Sequence, residues 1–118
     1  MGDLKIADVQ AFPTSFPIAP ENRVALGIGT AIKRDAVVVK VTTAGGLVGW
    51  GEAYGSSGST IRASFEIWIK NLAIGQRIDD PALMPRIERL LHGMGRSGST
   101  VHAISGLDIA LWDIRGKL

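Results

Sequence analysis

The sequence has no cysteine, which excludes a disulfide scaffold and any thiol chemistry. It has two histidines, His92 and His102, neither within a pattern of neighbouring ligands, so nothing has metal-ligand spacing. No run of like charge exceeds two residues, and 13 basic residues stand against 11 acidic ones for a net charge of +2. That scattered balance excludes a nucleic-acid surface. No apolar run approaches membrane length, and the N-terminus lacks a charged-then-apolar signal segment. The expectation is a soluble, cytoplasmic protein with neither nucleic acid nor membrane as a partner. No internal repeat is visible. At 118 residues and 46% hydrophobic, the chain suits one domain with a modest core.

What is present reads as three strands followed by three helices. Residues 4–12 form the first strand. Ile6 and Val9 have opposite parity, which a bulge near Ala7–Asp8 reconciles. Pro13 and Pro17 are expected to stop it. Residues 14–34 are then too long for an ordinary turn, so they read as functional or mobile. The clearest strand is 35–43, with Val37, Val39 and Val41 on one face and Val38, Lys40 and Thr42 on the other. Ala44-Gly45-Gly46 makes a hairpin connection into a third strand, 47–53. Gly49 and Gly51 share one face of it, a sign of close backbone approach; Val48, Trp50 and Glu52 share the other.

A glycine-rich loop, 54–60, leads into a helix to about Leu72. Its expected stripe is Ile61, Phe65, Trp68, Ile69 and Leu72, with Arg62 and Glu66 as an exposed pair. Asp80-Pro81 starts a second helix with Leu83, Ile87, Leu90, Leu91 and Met94 on one side, its first turns delayed or kinked by Pro85. The last helix, capped by Ser97 or Ser99, is apolar nearly all round: Val101, Ile104, Leu107, Leu111, Ile114 and Leu118 recur at helical spacing, and Ile109, Ala110 and Trp112 fill the rest. Its carboxylates, Asp108 and Asp113, then need partners, from Arg115, Lys117 or another element. Segregated strands and helices mean α+β.

The stretch Ala103–Leu118 resembles the signature of the mandelate racemase/muconate lactonizing branch of the enolase superfamily. Ala103, Ser105, Gly106, Leu107, Asp108, Ala110, Leu111, Asp113, Ile114, Gly116 and Lys117 fit that pattern. The family's pattern runs on past the Lys, and this chain stops at Leu118, inside it. The resemblance implies a three-stranded antiparallel meander followed by a three-helix bundle, a capping domain spanning residues 1–118, with the family's C-terminal (β/α)₈ barrel absent. Such a barrel needs about 250 residues. Family members hold Mg²⁺ on barrel carboxylates and abstract the proton next to a substrate carboxylate with a Lys-x-Lys pair or a His with an Asp. The lysines here are 5, 33, 40, 70 and 117, so no Lys-x-Lys pair occurs. The resemblance therefore implies Mg²⁺ in a full-length parent only, and neither catalytic nor metal-binding residues in this chain.

Chain order sends residues 13–34, 54–60 and 93–99 to one end of the sheet, where loops on a rigid scaffold build a lid or specificity surface. The candidates there are Arg23 and Lys33, with Arg34, as attractants for a carboxylate or as ordinary solvated charge, and Tyr54, as a pocket wall or as a packing ring. Glu52, Asp108 and Asp113 read as structural partners. Gly93–Gly98 matches G-x-G-x-x-G, but it follows a helix and lacks a βαβ unit, so it is no dinucleotide site. Two functions fit. One is the capping domain of an enzyme acting on a small carboxylate or acid-sugar substrate, with sugar-acid dehydration ranked before racemisation or cycloisomerisation. The other is a freestanding module, without enzymatic activity, that forms a homo-oligomer or binds another protein through its apolar last helix.

Overall fold

The alternating valines build the centre of the molecule. In a computed structural model, which describes residues 2–118, Val37, Val39 and Val41 are fully buried on strand β4, Lys33–Thr43. Strand β1, Ile6–Pro17, pairs antiparallel on one side of β4 and strand β5, Val48–Tyr54, on the other. The register steps from Ile6 opposite Thr43 to Asp8 opposite Thr42. That is the expected bulge, and it lets Ile6 and Val9 both face the core. The β4–β5 turn closes with the Gly46 N–H donating to Thr43 O at 3.0 Å and the Leu47 N–H to Thr43 Oγ1 at 3.0 Å.

The prolines do not stop β1. Pro13 pairs with Val37 and Pro17 with Lys33. A proline is tolerated on an edge strand when its missing N–H would have faced outward. Beyond Pro17 the Ile18 N–H donates to Ile32 O at 2.8 Å. Even-numbered residues therefore face β4 with their N–H groups, and the odd-numbered prolines face away. Much of 14–34 is thus a two-stranded arm rather than a loop. Its end folds into a short 3₁₀ turn, Pro20–Asn22, and a small hairpin of β2, Ala25–Leu26, with β3, Gly29–Thr30.

Helix α1, Gly58–Ser64, starts ahead of Thr60 and runs through a π turn, Phe65–Ile69, into α2, Lys70–Ala73. Ile61, Phe65 and Ile69 are buried, but Trp68 is not. The π turn underwinds the helix, which keeps residues four apart in line and leaves Trp68 outside that line. Glu66 pairs with Lys70 at 3.5 Å instead of with Arg62. Asp80 opens the next turn through its carboxylate, which accepts the Ala82 N–H at 2.9 Å. Helix α3, Leu83–Leu90, absorbs Pro85 in its first turn and buries Leu83, Met84 and Ile87; Leu90 and Met94 are exposed, against expectation.

Helix α4, Ser99–Lys117, begins from Gly98 at φ +83°, and neither Ser97 nor Ser99 caps it. It lies against the sheet face that carries Gly49 and Gly51. A Cβ on Gly49 would strike the Ala110 carbonyl and Ile114; one on Gly51 would strike the Gly106 carbonyl and come within 2.8 Å of Ala110 N. The glycines are therefore the slot in which the helix backbone sits. Only one side of α4 is buried, the side of Ala103, Leu107, Ala110, Leu111 and Ile114. Val101, Ile109 and Trp112 are exposed, Trp112 at 63%, so the expectation of a helix buried all round is wrong. An apolar sequence records tolerance of burial, not the presence of a cover.

Candidate functional site

Two of the signature's polar residues stitch α4 to the free edge of β5. The Asp113 carboxylate accepts the Trp50 N–H at 2.9 Å and pairs with Lys117 Nζ at 2.8 Å. Lys117 Nζ also donates to Val48 O at 2.7 Å. The exposed backbone groups of an edge strand need partners, and one helix turn supplies both an acceptor and a donor. The Lys117 ammonium, followed by the Trp50 N–H, holds the Asp113 carboxyl below its ordinary value. Arg115 does not pair with an acid; its Nε donates to Ile78 O at 2.8 Å, and its guanidinium stands 5.0 Å from the Trp112 ring. Asp113 is thus a structural partner, as its place in a buried helix suggested, with half of its work done for the strand.

The end of the sheet that carries the connections holds an open groove of about 710 Å³. Thr14 and Phe16 of β1, Lys33 and Arg34 of β4, and Glu52 and Tyr54 of β5 line it. The ladder puts Phe16 opposite Arg34 and Ala36 opposite Tyr54, so these side chains share one sheet face by parity. Lys33 Nζ lies 3.3 Å from Asp35. The Ser15 hydroxyl first, and Lys33 second, hold the Asp35 carboxyl below its ordinary value. The groove therefore combines two cations, two carboxylates, one already paired, hydroxyls and two aromatic rings. Such a wall can orient a polar, anionic molecule. Glu52, read from sequence as a partner for a helix end, makes no side-chain hydrogen bond or ion pair among the described residues and faces the groove instead.

Of the three lid candidates, Lys33 and Tyr54 meet in this groove. Arg23 does not line it; its Nε is held by Ile18 O at 2.9 Å in the tip of the arm. Thr14 and Phe16 were missed as groove residues because two prolines were read as the end of a strand. The edge-strand tolerance of proline was the signal that could have found them. Tyr54 also meets His102 at the start of α4, with ring centroids 5.1 Å apart. A second cleft, about 530 Å³, lies beside the start of α4 between His92, Arg96, Val101 and Asp108. The Gly93–Gly98 segment borders it, following a helix rather than a strand. Among the described residues no three histidine or acidic side chains stand together as a metal cage, and no helix is long and apolar enough to cross a membrane.

Residues 7–118 match the family model for the "Mandelate racemase / muconate lactonizing enzyme, N-terminal domain". The chain is 35% identical over 91 residues to the D-galactarolactone cycloisomerase of Agrobacterium fabrum, covering 72% of this chain and 22% of that protein. It is 39% identical over 84 residues to the D-xylonate dehydratase of Haloferax volcanii, covering 70% of this chain and 20% of that protein. A crystal structure of an enolase superfamily member from Polaromonas sp. JS666 superposes with a TM-score of 0.84 at 38% identity, over 96% of this chain and 30% of that one. The chain thus spans between a fifth and a third of the length of these relatives.

Proposed function

The chain belongs to the mandelate racemase/muconate lactonizing enzyme family, as its N-terminal domain, and on that premise we propose that it is the substrate-capping and specificity domain of an enzyme acting on a small carboxylate. The rest of that enzyme is a (β/α)₈ barrel whose open, C-terminal face the groove covers. The observation that carries this reading is the convergence of Lys33, Arg34 and Tyr54 on one groove at the loop end of the sheet. Cations there attract an acid, the tyrosine shapes the space, and the arm bearing Arg23 closes over it. The exposed Val101, Ile109 and Trp112 of α4 give the barrel an apolar face to cover.

The parent's reaction starts with loss of the proton next to the substrate carboxylate; dehydration of a sugar acid ranks first, cycloisomerisation or racemisation second. The cycloisomerase and dehydratase relatives support that class. The family resemblance implies Mg²⁺ in the parent, but the acids of this chain do not fit the ion. Asp113 is committed to Trp50 and Lys117, Asp35 to Lys33, and among the described residues no three acid or histidine side chains stand together. The metal would belong to the barrel. This domain's own part is to bind, orient and exclude water.

Two measurements test the proposal. The coding sequence beyond Leu118 should continue in β/α units with spaced acids and a Lys-x-Lys pair or a His with an Asp; an immediate genuine stop would favour the freestanding interaction module. In the barrel-bearing protein, Tyr54→Ala should change substrate preference and KM across a panel of acid sugars while the melting temperature stays near wild type. An unchanged panel with normal folding removes Tyr54 from the site.

A further inference from the structure

Tyr54 ends β5 and is 61% exposed, so burial does not fix its ring. The stitching of α4 to β5 does set what lies beside it. Lys117 meets Val48 and Asp113 meets Trp50, so two steps along the strand match four steps back along the helix. From Val48 to Tyr54 the strand advances ~20 Å at ~3.4 Å per residue. From Lys117 back to Ser105 the helix covers only ~18 Å at ~1.5 Å per residue. The shortfall exceeds one helical residue and moves Tyr54's neighbour from Ser105 towards the helix start. His102, nearly one turn before Ser105 on the same side, is the side chain found there, its ring tilted 55° to the phenol at 5.1 Å between centroids. Its Nδ1 is sealed from solvent without a hydrogen-bond partner among the described residues. The imidazole meets Tyr54 ring to ring, with no hydrogen bond between the two side chains among the described residues.

We propose that His102 is a positioning residue for Tyr54, fixing the direction in which the phenol presents its hydroxyl to the groove that Tyr54 shares with Lys33 and Glu52. The functional meaning of this rests on the groove being the substrate-facing wall; the positioning itself does not. Tyr54 is the only tyrosine in the chain, so proton NMR of the 118-residue protein reads its ring alone. Wild type should show nuclear Overhauser contacts between the Tyr54 and His102 rings, and Tyr54 ring shifts displaced from those of an unstructured peptide. His102→Ala should abolish that displacement, His102→Phe should restore it, and His92→Ala should leave it intact. Absence of the wild-type contacts overturns the proposal even if His102→Ala fails to fold. So does a Tyr54 spectrum indifferent to a folded His102→Ala, or a folded His102→Phe that fails to restore the shifts. No substrate enters this measurement, so its failure is separable from that of the groove reading, which the Tyr54→Ala panel decides.

Discussion

Gly51→Ala is a demanding perturbation of the fold, because it adds one methyl where two backbones meet. The new Cβ would strike the Gly106 carbonyl and sit 2.8 Å from Ala110 N, where ordinary contact begins at 3.4 Å. Neither neighbour is a side chain that can rotate away, so α4 must withdraw by at least about 0.6 Å. That withdrawal loosens the packing of Leu107, Leu111 and Ile114 and pulls on the Asp113–Trp50 and Lys117–Val48 bonds. Overpacking costs about 1–3 kcal/mol, and rigid obstacles on both sides put this case at the upper end. Loss of a flexible glycine from the unfolded chain offsets about 0.4–1 kcal/mol, which leaves a net loss of about 2 kcal/mol. In a domain of this size ~1 kcal/mol moves the midpoint by about 3–5 °C, so the melting temperature should fall by roughly 6–10 °C, and further for Gly51→Val. Circular dichroism melts are sufficient, with Gly116→Ala as the opposite control. No atom lies within 4 Å of a Cβ there, and alanine should stabilise the helix by up to ~1 kcal/mol. A Gly51→Ala protein that melts with wild type would refute the close-approach account.

Asp113→Asn tests the edge clamp by pH. The folded carboxyl titrates below its ordinary value of 3.8, so its contribution is present above that value and is lost as pH falls through the folded one. The stability gap between wild type and Asp113→Asn should therefore narrow as pH falls through 3.8 and below it; a constant gap would remove the clamp. Trp112→Ala should cost less than ~1 kcal/mol, since the exposed ring offers only a cation–π contact to Arg115. Leu107→Ala, wholly buried, should cost about 2–5 kcal/mol, and urea melts yielding equal costs would contradict the one-sided burial of α4. Calorimetric titration of this chain with Mg²⁺ should find no stoichiometric site; a sub-millimolar one would contradict the reading that no three acid or histidine side chains of the described residues stand together.

The sheet was legible because period-two alternation is a strong signal. Val37, Val39 and Val41, the mismatch of Ile6 with Val9, and the paired glycines of β5 led to the central strand, the bulge and the helix slot. The errors share one physical origin: a residue type constrains what a position tolerates, not what adjoins it. Pro13 and Pro17 were read as terminators because strand position, edge or centre, is a property of pairing across the sheet. Trp68, Leu90 and Met94 were placed in stripes, and Trp112 on the rest of a buried helix, because they are apolar, and all four are exposed. At the sheet end, Tyr54 and Lys33 could be grouped from chain order alone. Their neighbours Phe16 and Asp35, and the His102 ring beneath Tyr54, required the register.

The prolines of β1 bear on how the protein behaves at high concentration. The arm is a long two-stranded ribbon with Phe16 and Ile28 strongly exposed, and its outer edge is the kind of surface on which a stray strand polymerises. Along residues 13–17 the outward-facing backbone nitrogens are those of Pro13, Ser15 and Pro17. Two of the three cannot donate, so an incoming chain would find a single N–H there and no continuous ladder to extend. The arm can keep its length and apolar tip without becoming a nucleus for aggregation. Pro13→Val and Pro17→Val together would leave the fold's own pairing to β4 intact while reopening that edge.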